Sequence, residues 1–146
     1  MKTKNIGSMI AFALTAVILI GCDQEKVLTA SEIPSEITEY VSTHFPNNNL
    51  LQAVEDRDGF TRTYDVVLSD NITLEFNRKK EITDIDGNAQ LPDSVIPTEI
   101  SLYVATNFPN NVITDWELED RHQQVGLDNG ADLEFTMNGD FIRIDN

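Results

Sequence analysis

The chain has 146 residues, with 25 Asp+Glu, 10 Lys+Arg, one cysteine and a formal charge of −15. A surface this acidic repels phosphate backbones and excludes nucleic-acid binding through a basic patch. One cysteine makes neither an internal disulfide nor a zinc knuckle. The 40% apolar content suffices for a packed core and excludes wholesale disorder.

The N-terminus reads as an address. Lys2 and Lys4 precede an uncharged apolar stretch, Ile6 to Ile20, which ends in Leu19-Ile20-Gly21-Cys22. That stretch is short for a membrane span, which needs ~20 apolar residues, and it has signal-peptide flanks. The ending resembles a bacterial lipobox, in which Cys22 would be lipidated on sulfur and become the mature N-terminus. The competing reading is an ordinary signal with a chance cysteine. Signal and lipobox cysteine together span residues 1–22, and losing Lys2 and Lys4 by cleavage before Cys22 takes the charge from −15 to −17. Residues 23–32 read as a polar tether.

The rest of the chain is written twice. Residues 33–48, IPSEITEYVSTHFPNN, match 96–111, IPTEISLYVATNFPNN, at 11 of 16 positions with an offset of 63. Farther on, Leu74-Glu75-Phe76 matches Leu133-Glu134-Phe135, and Ile85-Asp86 matches Ile144-Asp145, at an offset of 59. The drift places small insertions in turns. Repeat 1 spans 33–87, a polar linker 88–95, and repeat 2 spans 96–146.

Each repeat opens with a predicted helix. Pro34 and Pro97 suit a first helical turn, where no backbone donor is needed. Ile33, Ile37, Tyr40, Val41 and Phe45 form one apolar face at helical spacing, as do Ile96, Ile100, Tyr103, Val104 and Phe108. Pro46 and Pro109 stop the helices. The period then becomes two. Strands are predicted near 50–56, 62–68, 71–77 and 81–86, and near 113–119, 122–128, 131–137 and 140–145. Asp58-Gly59, Asp70-Asn71, Asn129-Gly130 and Asn138-Gly139 mark turns that accept positive φ. The expected class is α+β: tandem αββββ units, each a helix on a four-stranded antiparallel meander. A unit of this size buries little surface alone, so the two are expected to share a broad eight-stranded sheet.

Ile-Pro-x-Glu-Ile at the helix start, Phe-Pro-Asn-Asn at its end, the Leu-Glu-Phe strand and the closing Ile-Asp resemble the PepSY-like, β-lactamase-inhibitor-like domains of envelope lipoproteins. The resemblance covers nearly all of the mature chain, twice. It implies tandem αββββ units and brings no catalytic residues. In the namesake inhibitors the free sheet face clasps an enzyme. Repeat 1 departs from the pattern in having Asp70-Asn71 and Lys79-Lys80 where repeat 2 has Asn129-Gly130 and Asn138-Gly139.

The residues do not spell an enzyme. The two histidines, His44 and His122, have no nucleophile and orienting group at motif spacing. Asp84, Asp86 and Asn88 place oxygens at alternate positions around Gly87, a pattern by which loops supply calcium. The spacing departs from the EF-hand, and such residues also simply make turns. Alternation in the last strand of each repeat puts Ile82 and Phe141 on the open sheet face, where apolar groups either mark an interaction surface or are covered by the partner unit or a loop. Trp116 shares a side with Leu118, and core is its favoured reading, with a part in partner binding the other.

Two functions follow as expectations. The first is a lipid-anchored, non-catalytic module of the cell envelope, periplasmic or surface-facing, that engages a protein or peptide through the free sheet face. It needs no cofactor, touches the membrane through its lipid anchor only and binds no nucleic acid. The alternative is a calcium-binding or calcium-responsive periplasmic protein using Asp84, Asp86 and Asn88. A structural or chaperone-like filler of the periplasm, without a stable partner, is the blander third.

Overall fold

A computed structural model describes residues 23–145. Along it run strand β1 (Asp23–Val27), helix α1 (Ser35–His44), and strands β2 (Leu50–Asp58), β3 (Thr61–Leu68), β4 (Ile72–Phe76) and β5 (Ile82–Asp86). Repeat 2 follows with helix α2 (Thr98–Asn107) and strands β6 (Ile113–Leu118), β7 (His122–Leu127), β8 (Asp132–Thr136) and β9 (Phe141–Asp145). All nine strands form one open antiparallel sheet in sequential order, β1 to β9. The expected tandem αββββ architecture is present, with one strand more than the sequence reading counted.

The extra strand is the segment read as a tether. Asp23–Val27 pairs along β2, from Asp23 opposite Asp58 to Val27 opposite Val54. Its polar composition suits an edge strand, which answers to hydrogen bonding more than to burial. The 88–95 segment is also more than a linker. Leu91 is buried and its N–H bonds the Ile113 carbonyl at 2.9 Å. A 3₁₀ turn at Asp93–Val95 follows, and Ser94 Oγ lies 2.9 Å from His44 Nδ1.

Both helices use the same devices. Pro34 and Pro97 stand just outside the helix, with φ of −54° and extended ψ, so they act as N-cap residues rather than first-turn residues. Their carbonyls accept the first helical bonds, from Ile37 and Thr38 in one case and Ser101 in the other. After the helix, Asn48 Nδ2 donates to Asp70 at 2.9 Å and Asn111 Nδ2 donates to Asp128 at 2.8 Å. The second Asn of each Phe-Pro-Asn-Asn therefore pins the helix exit to a strand turn.

Both helices cover one face of the sheet. On that face Ala53, Val66, Leu74, Ile85, Trp116, Val125 and Leu133 stand in register across seven strands. They are buried under Ile37, Val41 and Phe45 from α1 and Ile100 and Val104 from α2, in a single core. Tyr40 meets Phe76 edge-on at 5.4 Å, and Tyr103 meets Phe135 in the same way at 5.4 Å. Such pairs contribute about 0.5–1.5 kcal/mol beyond their burial. The repeats join through the β5–β6 ladder, which pairs Asp84 with Glu117, Ile85 with Trp116 and Asp86 with Asp115. A chain starting at Asp23 thus carries the whole sheet, both helices and the core.

Candidate functional site: an acidic open sheet face

Alternation sends every second side chain to the face the helices leave open. Two neighbouring rows result. One runs Val54, Asp65, Glu75, Asp84, Glu117, Gln124, Glu134, Arg143. The next runs Gln52, Val67, Thr73, Asp86, Asp115, Gly126, Asp132, Asp145. Carboxylates dominate both rows, and Arg143 is the only cation in them. Strands bring acids from distant parts of the sequence to neighbouring positions ~5 Å apart.

The crowding shows in the titration of these groups. Partial burial raises Asp84 to about 7, with Glu117 and Glu75 adding like-charge repulsion. Asp65 rises to about 6 through burial, then Glu75 and Asp56. Asp115, Glu117 and Asp132 are raised as well, burial being the largest cause in each. Glu134 is the exception. Arg143 grips it with two bonds, at 2.6 and 2.9 Å, and holds its carboxyl below the usual range. Asp115 uses the space left by Gly126, where a Cβ would lie 1.8 Å from its carboxylate. Asp56, the neighbour of Glu25 on this face, has one oxygen that is buried without a partner among the described residues.

The residues singled out from sequence fall differently. Cys22 lies outside the described residues. Asp84 and Asp86 do point to the open face, beside Glu117 and Asp115 on the next strand. Asn88 follows the end of β5 and is exposed. Among the described residues no group of three or more His, Cys, Asp or Glu is placed to hold a metal ion. Calcium takes six to eight oxygens, so the arrangement does not fit a ready-made calcium cage.

Ile82 and Phe141 are not on the open face, contrary to the strand alternation. Ile82 stands opposite Phe76 while Asp84 stands opposite Glu75, so Thr83 is an extra residue. Ile142 is extra in the same way, between Phe141 opposite Phe135 and Arg143 opposite Glu134. Each β-bulge inverts the alternation at the strand start. Ile82 accordingly packs on the core, and Phe141 stacks on Tyr103 with ring centres 4.5 Å apart. Trp116 is in the core, 6% exposed, its indole N–H donating to Gln123 at 3.0 Å. Missing from the sequence reading were Asp65, Glu75, Asp115, Glu117 and Asp132. Their signal was present as acids at alternate strand positions, but only cross-strand register shows that they adjoin.

A family profile for PepSY-like, beta-lactamase-inhibitor-like proteins matches residues 18–61 and 62–143. The chain belongs to this family. Its fold is similar to that of a proposed periplasmic protein from Bacteroides vulgatus, at 32% identity and a TM-score of 0.79, over 86% of this chain and 100% of that one. A proposed calcium-regulated periplasmic protein from Bacteroides thetaiotaomicron is similar at 25% identity and a TM-score of 0.79, over 84% and 97%. A second proposed periplasmic protein from Bacteroides vulgatus is similar at 29% identity and a TM-score of 0.78, over 84% and 100%. No curated protein gives a significant match. The two histidines of this PepSY-like protein lie on opposite faces of the sheet, His44 in α1 on the helix side and His122 in β7 on the open side.

Proposed function

We propose that this PepSY-like protein is a lipid-anchored envelope module whose open sheet face binds a basic segment of another envelope protein or peptide. The observation that carries the reading is the pair of adjacent carboxylate rows, with Asp84 and Asp86 facing Glu117 and Asp115 at the joint between repeats. A lysine- or arginine-rich segment laid across them relieves the like-charge repulsion that adds to burial in raising Asp84 and its neighbours, and this gain exists only in the complex. The lipobox ending at Cys22 and the periplasmic relatives support the envelope setting.

The test is capture from an envelope extract by the 23–146 chain, compared with a Glu75→Lys, Asp84→Lys, Glu117→Lys variant. Retention of the partner is expected to fall by about tenfold or more, as for close charge pairs across interfaces. Equal retention by the variant overturns the reading. Mass measurement of the membrane-extracted protein, intact and as Cys22→Ser, tests the lipid separately.

A second reading rests on the relative proposed to be calcium-regulated and on the same facing acids. Calcium would act here by bridging or screening the joint between repeats rather than by filling a preformed cage. Titration calorimetry at physiological salt checks it. No saturable heat below millimolar calcium, or heat unchanged by Asp84→Ala with Asp86→Ala, removes it.

A further inference from the structure

The cations of this acidic chain are not scattered. Of the eight Lys and Arg outside the signal, five are Arg57, Arg62, Arg78, Lys79 and Lys80. They belong to two neighbouring hairpin ends, the β2–β3 turn and the β4–β5 turn, on the same end of the sheet. Within 57–62 and 77–81 they meet two carboxylates, Asp58 and Glu81. Glu55, one step below, is already paired with Arg57 and Arg62 at 3.1 Å. Between the two turns lies a shallow cavity of about 320 Å³, with Phe60, Arg62, Arg78 and Lys79 on its walls. Phe60 itself, at the tip, is 102% exposed, more than any other large apolar residue described. Gly59, at φ +56°, makes the tight turn that lifts it there.

The strand pairing adds the deciding observation. Asp23 stands opposite Asp58 at this same end. Strand β1 therefore begins beside the Phe60 turn, and Cys22 is the residue that precedes it in sequence. The corresponding turn of repeat 2, at 119–121 on the same end of the sheet, carries Glu119 and Asp120 with a single cation, Arg121.

We propose that the hairpin end of repeat 1 is a membrane-facing surface, with Arg78, Lys79 and Lys80 on anionic phospholipid headgroups and Phe60 in the interface. The inference rests on reading Cys22 as the lipidated residue. A cation beside an anionic leaflet and an aromatic ring at headgroup level are each favourable there. An acyl chain at Cys22 would hold this end, and not the opposite end with the Asp70 and Asp128 turns, against the bilayer. The sheet would then stand away from the membrane with its open face accessible from the side.

The experiment couples the 22–146 chain through its only cysteine to maleimide-headgroup lipids in vesicles, so that it does not depend on lipidation in the cell. Phe60→Trp reports contact through quenching by brominated acyl chains. Leu51→Trp, at the other end of β2, is the control, and the buried Trp116 gives a constant background. On vesicles rich in phosphatidylglycerol, Phe60→Trp should be quenched several-fold more than Leu51→Trp. Adding Arg78→Glu, Lys79→Glu and Lys80→Glu should abolish the difference. Equal quenching of the two tryptophans overturns the proposal. Equal quenching of Phe60→Trp on phosphatidylcholine vesicles overturns the assignment to anionic headgroups. Neither outcome bears on whether Cys22 is lipidated, which mass measurement decides.

Discussion

Asp84 stands directly opposite Glu117 in the one ladder that joins the two repeats. Two places along, Asp86 opposes Asp115, and the apolar pair Ile85–Trp116 lies between them on the other face. Like charges directly opposed on a sheet are destabilising. The joint is thus held from the helix side by burial and opposed from the open side by charge.

A pH dependence follows from this joint. Asp84 titrates at about 7 in the fold against an ordinary 3.8, so the folded state binds more protons between those values. Stability contributed through Asp84 is greatest below about pH 4 and is lost as pH rises toward 7. Asp65, raised to about 6, acts in the same direction. Asp84→Asn should raise the melting temperature at pH 8 and flatten its decline between pH 5 and 8. An unchanged pH profile, followed by circular dichroism, would contradict the raised titration.

Phe141 offers a contrast between packing and binding. It stacks on Tyr103 and meets Phe135 at 5.8 Å, yet belongs to an exposed edge strand. Phe141→Ala should cost about 1–3 kcal/mol in denaturant unfolding, at or below the usual range for a buried aromatic because the ring is partly exposed. Partner capture through the open face should survive the change. Leu102→Ser, at an exposed helix position, should stay within about 0.5 kcal/mol.

Gln123 is buried and fully engaged. It accepts from Trp116 and donates to the carbonyls of Thr136 and Met137 at 3.3 and 3.2 Å. Gln123→Ala strands the indole N–H and should cost about 1–3 kcal/mol. Trp116→Phe leaves the Gln123 oxygen without its donor and should fall in the same range. The double variant should cost less than the two single costs combined, because both remove the same bond.

Gly139 and Gly130 separate backbone strain from crowding. Both have positive φ, +87° and +81°. A Cβ on Gly130 meets open space, whereas one on Gly139 would come within 2.6 Å of Glu99 Cβ. Gly130→Ala should cost about 1 kcal/mol. Gly139→Ala should cost about 2–3 kcal/mol, since the start of α2 must move as well. Thermal unfolding of the two variants side by side measures the difference. Lys80, the counterpart of Gly139 in repeat 1, tolerates φ +65°.

The sequence by itself determined the duplication, both helices and eight of the nine strands, to within two residues at each end. The reason is local. Ile37, Tyr40 and Val41 recur at helical spacing, and Tyr64, Val66 and Leu68 at strand spacing, because each element must turn one face to the core. The acidity was legible as a number, and the cysteine as an address. Tertiary structure decided the rest, because it depended on what each strand meets. Asp23–Val27 has no apolar pattern, and only the free edge of β2 makes it a strand. Thr83 and Ile142 bulge because their strands must still pair with β4 and β8, and that reverses where Ile82 and Phe141 point. Register alone sets Asp84 against Glu117 and gathers scattered acids into one face. It likewise brings Arg78, Lys79 and Phe60 to the end of the sheet where β1 begins.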